Sequence, residues 1–276
     1  MTTHLMIFWD YDTQWGADRS RLAGPRDWGH LEFENTAQLL ELHARCGVPA
    51  CFAVVGAAAR PGARPYHDPA QIRQIHALGH EVASHSYSHE WLPALSYTEL
   101  LQTLKDSKDA LEQCIGAPVR AFVPPYNQPF DFARRGSISL SERRAAGRVR
   151  ADIPALCRAL AETGYTFCRI SYRTPIERLR ALLGQVSPRP SCPEQVEGVT
   201  CLRLNHPAGF RGKVMQALTA ADGRGQDRYL IAYGHPHSLH GGGAQDEEHL
   251  VPFLEMAQKL AASGAVKVCL PRDILT

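Results

Sequence analysis

Apolar runs and stretches with helical spacing alternate along this chain. LMIFW (5–9) is an apolar run that leads into the acidic pair of WDYD. ENTAQLLELHARCG (34–47) carries apolar residues at helical spacing and stops at a glycine. PACFAVVG (49–56) reads as a buried strand, DPAQIRQIHALGH (68–80) as a helix opened by Asp-Pro, and EVASH (81–85) as a short strand. SYTELLQTLKDSKDALEQCIG (96–116) reads as a long amphipathic helix capped by Ser96, with Glu99 three residues on. The alternation continues with strands at 119–126, 165–171, 198–205, 228–234 and 265–270. Helices fall between them at 152–164, 175–184, 212–222 and 246–264.

That is about eight strands and seven helices. Strands that are apolar throughout, each followed by a helix, predict a parallel sheet covered on both faces. The expected fold class is α/β: a distorted (β/α) barrel of about seven or eight parallel strands. An open doubly wound sheet is the alternative, but no glycine-rich phosphate loop follows any strand, which weakens its nucleotide-binding version. The polar, basic stretch 127–150 and the proline-rich stretch 185–197 break the rhythm. Both read as surface loops on a single domain spanning 1–276.

Composition narrows the partners. The chain has 276 residues, 44% hydrophobic and 21% charged, which is ordinary for a globular protein. With 30 Lys plus Arg against 28 Asp plus Glu, the net charge of +2 gives no reason to expect nucleic acid or an anionic membrane as partner. No apolar run is long enough to predict a membrane span. The opening MTTHLMIFWDYD has no basic region, long apolar stretch or cleavage site of a secretory signal, so a cytoplasmic location is expected. The 8 cysteines are scattered without a C-x-x-C pair and read as reduced thiols rather than zinc ligands. Oligomeric state is left open.

Candidate chemistry gathers at strand ends. Asp10 and Asp12, two apart at the end of the first strand, would share one mouth of a barrel, or form a solvated turn with a capping Asp. In SHSYSH, His85 and His89 are four apart, and a helical turn there would put both rings on one face for chelation. Taken alone, H-x-x-x-H is a common pattern without meaning. Ser86 is a candidate to bond within that loop and steady the second ring. In a parallel barrel all C-terminal strand ends open on one face, so the two motifs reinforce each other. One carboxylate and two imidazoles make a catalytic metal site with open positions, and leave the other carboxylate to act as base. On the same face, VPPY (123–126) offers a backbone N–H near Tyr126 to a developing oxyanion. His235, the first polar residue after an apolar strand, suits a general acid. His206, His237, Trp15 and Trp91 are candidate substrate contacts, the two tryptophans equally able to be packing residues. His4, His43, His67, His76 and His80 carry no spacing argument.

These residues resemble the motifs of the polysaccharide deacetylases, the family 4 carbohydrate esterases. FWDYDTQWG looks like their first motif, HSYSH matches their H-[ST]-x-x-H, VPPYN looks like their R-x-P-Y, and IAYGH is similar to their late Leu-x-x-His. ENTAQLLELHARCGVPACFAVVG fits their first helix and second strand. The resemblance implies a distorted barrel and a divalent metal, typically zinc, with cobalt, nickel or iron as alternatives, held by Asp12, His85 and His89. It implies Asp10 as general base, the Tyr126 backbone N–H on the oxyanion and His235 as the acid for the departing amine. The implied activity is N-deacetylation, with a small molecule or glycan bearing an acetamido group as substrate. Two departures stand out. D-Y-D replaces adjacent aspartates and is closer to the allantoinase-like branch, so hydrolysis of another linear or cyclic C–N amide is an alternative. The Arg that usually steadies the base is Val123 here, which leaves an inactive sugar-binding protein as a third reading unless Arg169 or Arg173 takes its place.

Overall fold

The computed structural model describes residues 2–20, 28–127, 152–170, 192–204, 208–220 and 228–274. The first strand, β1 (Thr3–Tyr11), lies within a nine-stranded sheet. Its side chains alternate between two apolar layers. Leu5, Ile7, Trp9 and Tyr11 join the core beneath the helices, while Met6 and Phe8 join a second core on the other face. Burial on both faces is why the run 5–9 shows no alternation in sequence.

After β1 come α1 (Thr13–Arg19), α2 (Trp28–Cys46), β2 (Cys51–Val54), α3 (Pro69–Ala77), β3 (Glu81–Ser84), α4 (Tyr97–Ile115) and β4 (Ala121–Phe122). The second half contains α5 (Ile153–Glu162), β5 (Phe167–Ile170), β6 (Glu194–Val196), β7 (Val199–Arg203), α6 (Lys213–Thr219), β8 (Arg228–Gly234), α7 (Glu247–Ala262) and β9 (Val266–Val268). The strand order is β6-β7-β5-β4-β3-β2-β1-β8, and β9 pairs with the start of β1. All ladders are parallel except the β6–β7 pair. Among the described residues no ladder joins β8 back to β6 or β7. The sheet is therefore a curled half-barrel, the distorted barrel expected from the strand pattern, without closure.

The helix boundaries follow local chemistry. Asp68 caps α3 by accepting the Gln71 N–H. Ser96 and Glu99 form a reciprocal capping box on α4, which ends at Gly116 in the left-handed region, φ 68°. Two expectations change. The short helix α1 follows the acidic pair at once, with Asp12 at its N-cap position, where the sequence pattern had marked no separate helix. Residues 194–196, read as part of a surface loop, form β6, joined to β7 by the tight turn Glu197–Gly198 with φ 48° and 81°. The expected helix 175–184, residues 128–150 and residues 185–191 lie outside the described residues. The C-terminal ends of β1, β3, β4, β5 and β8 share one rim, as in other parallel barrels, and they deliver the candidate residues to it.

Candidate metal centre

Asp12, one residue beyond β1, and His85 and His89, just beyond β3, converge in the buried interior of the rim. Each offers one ligand atom, and these three atoms lie within 4.8 Å of one another. Asp12 Oδ1 is 3.2 Å from His85 Nε2 and 3.5 Å from His89 Nε2. The rings do not meet through a helical turn, as the four-residue spacing suggested. Residues 85–89 form a bend with positive φ at Ser86, 63°, and His89, 60°. Such backbone is uncommon for residues with a Cβ and persists where surroundings over-determine it. Here the Ser86 carbonyl accepts the Gly56 N–H at 2.9 Å and the Ser107 hydroxyl at 2.9 Å. Ser86 Oγ accepts the Glu90 N–H at 3.1 Å, so it bonds within the loop as expected.

The surroundings also set the tautomer of His85. Its Nδ1 lies 2.7 Å from the Val123 carbonyl, which can only accept, so Nδ1 carries a proton and Nε2 faces Asp12. A neutral ring would then point a lone pair at a carboxylate oxygen. A cation between them, either a proton or a metal, removes that repulsion. Protonation preferences agree. Burial would lower His85, but the Asp12 bond and the Asp10 and Asp12 charges hold it above its ordinary value. Burial lowers His89 to about 4, against the pull of Asp12. Burial would raise Asp12, but His89 and His85 outweigh it and hold the carboxyl well below the usual carboxylate range. Two imidazole nitrogens and one carboxylate oxygen, buried and convergent, fit a borderline divalent cation with open coordination positions.

Asp10 takes a different partner. On β1 it projects to the same face as Phe8, and its Oδ2 is 2.7 Å from Arg169 Nη2, with both side chains almost fully buried. Arg169 comes from β5, one residue before the strand ends, and its guanidinium lies between the rings of Phe8 and Tyr233 at 5.0 and 4.9 Å. The cation absent at Val123 is therefore supplied by another strand, while Val123 serves through its carbonyl. Arg173 lies outside the described residues. His235 Nε2 is 3.9 Å from the same Asp10 oxygen, with the His235 side chain 22% exposed, so it is the member of the group that reaches solvent. Gln245 Oε1 accepts the His235 backbone N–H at 2.6 Å and lies 3.0 Å from its Nδ1. The amide oxygen can only accept, so Nδ1 keeps its proton and donates it to Gln245, while Nε2 faces Asp10.

The other expected residues divide. Tyr126 has a left-handed backbone, φ 64°, and its ring lies 4.6 Å edge-on against His89. Trp91 is 3% exposed with its ring 5.5 Å from that of Tyr126, which favours the packing role that the sequence left open beside a substrate contact. Trp15 is half-buried, edge-on to Tyr66 at 5.2 Å, and its indole N–H has no partner among the described residues. His237 is buried against Trp28 at 3.9 Å and lies 5.3 Å from His235; burial holds it well below its ordinary value, so it is a neutral ring. His206 lies outside the described residues. Two residues had no signal in the sequence. Gln245 sits in a glycine-rich loop, and Glu32 sits in the second turn of α2, where a single buried carboxylate breaks no pattern. Burial and the Asp12 and Asp10 charges push the Glu32 carboxyl up, and two backbone N–H groups pull it back.

Residues 24–136 match the polysaccharide deacetylase family model. The matched segment contains His85, His89 and Tyr126 and excludes Asp10, Asp12, Arg169 and His235. By fold, the chain is similar to a structure from Pseudomonas aeruginosa PAO1 described as a polysaccharide deacetylase, with a TM-score of 0.62, 16% identity and coverage of 99% of this chain and 89% of that one. A family 4 carbohydrate esterase from Streptomyces lividans in complex with acetate matches with a TM-score of 0.50, 16% identity and coverage of 98% and 94%. An allantoinase matches with a TM-score of 0.55, 15% identity and coverage of 93% and 84%. The matched segment carries two of the motifs, HSYSH and VPPYN, and nearly the whole chain is alike in fold: this protein is similar to the polysaccharide deacetylases, a family of amide hydrolases.

Proposed function

We propose that this protein is a metal-dependent hydrolase that removes the N-acetyl group from an acetamido sugar or a related small intermediate. The observation that supports it most is the separation of the two aspartates. Asp12 faces two imidazoles, while Asp10, two residues earlier, faces Arg169 and His235. A divalent metal held by Asp12, His85 and His89, with zinc the leading candidate and cobalt, nickel or iron the alternatives, would supply Lewis-acid activation of water and of the acetamide carbonyl. Asp10 takes the proton of the attacking water, its Oδ1 having no hydrogen-bond partner among the described residues while Oδ2 is held by Arg169. Arg169, stacked between two rings, holds that carboxylate in place and balances its charge. The Tyr126 backbone N–H donates to the developing oxyanion. The proton taken by Asp10 passes through His235 Nε2, which lies 3.9 Å from that carboxylate, to the departing amine, with Gln245 keeping the ring in orientation. Acetate and a free amine leave.

A second reading, hydrolysis of another linear or cyclic amide, is favoured by the D-Y-D spacing and by the likeness to an allantoinase fold. Arg169 beside Asp10 removes the main reason to read the chain as an inactive sugar binder. The deciding experiment measures bound metal in purified protein and acetate released from a panel of acetamido sugars. About one divalent ion per chain and acetate release are expected. Asp10→Asn should keep the metal and lose activity by roughly 10²–10⁴-fold. Ring opening of cyclic amides without acetate would favour the second reading, and protein that takes up no divalent metal would overturn both.

A further inference from the structure

Asp12 occupies the N-cap position of α1 and yet makes no side-chain bond to that helix. An aspartate there ordinarily accepts an N–H of the first turn. Its carboxylate is turned instead toward His85 and His89. The donors it would have taken go elsewhere, the Gln14 N–H to the Pro65 carbonyl at 3.1 Å and the Trp15 N–H to Thr13 Oγ1 at 3.4 Å, and the two N–H groups before them are held by another helix. Glu32, fully buried on α2, accepts the Asp12 N–H with Oε1 at 3.0 Å and the Thr13 N–H with Oε2 at 2.6 Å. Thr13 is a β-branched residue at φ 55°, a conformation that needs outside support. Gly16 completes the arrangement, since a Cβ there would meet Asp12 Cβ at 2.5 Å.

We infer that Glu32 is a positioning residue: by holding the Asp12 and Thr13 N–H groups it locks the turn after β1, so that the Asp12 carboxylate is kept directed at a metal. The inference rests on the proposed metal site and adds to it a residue from a helix that no strand-end motif touches. Glutamine at position 32 would keep the shape but set an NH₂ against one of the two backbone donors, whatever the charge of the native carboxyl.

The test is zinc affinity by chelator competition on metal-stripped protein, with thermal melting as a control. Glu32→Gln should weaken zinc binding by roughly 10–100-fold, the range for groups that orient a metal ligand, with the fold retained. Activity should return at saturating zinc. If Glu32→Gln does not fold, Thr13→Gly supplies the second arm, because glycine adopts φ 55° without strain. The Glu32→Gln/Thr13→Gly pair should then bind zinc more weakly than Thr13→Gly alone. Wild-type protein that binds zinc while the glutamine variants bind it equally well overturns the role of Glu32 alone. Wild-type protein that binds no zinc overturns the metal site and this inference together.

Discussion

Two groups of buried histidines lie near opposite ends of the same strands, and only one has the makings of a site. Where β2 and β3 begin, His43 and His80 stand 5.5 Å apart, ring edge to ring face. His43 Nε2 accepts the Trp9 indole N–H at 2.9 Å and its Nδ1 donates to the Val48 carbonyl at 2.7 Å. His80 Nδ1 accepts the Ala50 N–H at 3.1 Å. Backbone and indole partners use these nitrogens, and burial lowers His43 to about 3 and His80 to about 4. Beyond β3, His85 and His89 instead turn their Nε2 atoms on a shared carboxylate. Burial is common to both groups. The distinction is where the free lone pairs point: into satisfied neutral bonds in one, toward a common cation position in the other.

The sharpest break of this comparison is a pair of alanine variants. His85→Ala should lose bound metal and reduce amide hydrolysis by roughly 10²–10⁴-fold, while remaining folded. His43→Ala should keep metal stoichiometry but lose about 1–3 kcal/mol of stability, because the Trp9 N–H and Val48 carbonyl are left buried and unpaired. Metal analysis and denaturant melts of both would fail the comparison if the losses were exchanged.

Next in size is Arg169→Met, which strands Asp10 as a buried, unpaired charge. A loss of about 3–5 kcal/mol in a urea melt is expected, falling as Asp10→Asn is added to the same chain. If the double variant were no more stable than the single, the buried pair would not be the cause.

A smaller effect separates the two groups by pH. The folded pKa of His43 lies below its unfolded value of 6.5, so its contribution to stability is full above pH 6.5. That contribution is lost as pH falls toward about 3, because the unfolded chain binds the proton first. In metal-stripped protein, His43→Gln should flatten the acid limb of stability by up to about 1.4 kcal/mol per pH unit within that window. An unchanged acid limb would show that the ring is not held neutral. The smallest expected change is at the rim, where Trp15→Ala should raise KM by roughly 2–10-fold with little effect on kcat, if its aromatic face meets substrate. A kcat loss with unchanged KM would place Trp15 among residues that shape the centre instead.

Much of the fold was legible because its signals are local. Caps such as Ser96 with Glu99 and the Asp68-Pro69 start act within one helical turn, and strands buried on both faces announce themselves as apolar runs. The convergence of Asp12, His85 and His89 was legible for a related reason: each sits just past a strand end, and parallel strands bring such ends to one rim. The helical turn expected at 85–89 was not there, since H-x-x-x-H spacing is equally compatible with a bend whose positive φ angles depend on Gly56 and Ser107 from elsewhere in the chain.

What the sequence determined by itself was the strand-and-helix rhythm, the parallel sheet and the list of residues at strand ends. Their division of labour belonged to the tertiary structure. Arg169 faces Asp10 because β5 and β1 turn those side chains to one side of the curl, across 159 positions of chain. Glu32 reaches the turn after β1 because α2 packs on α1, and Trp91 is buried with Tyr126, from further along the chain, edge-on to its ring. Hydrogen bonds and ion pairs are set by distances in space, and distance in space between remote positions is what a linear pattern of residues leaves undetermined.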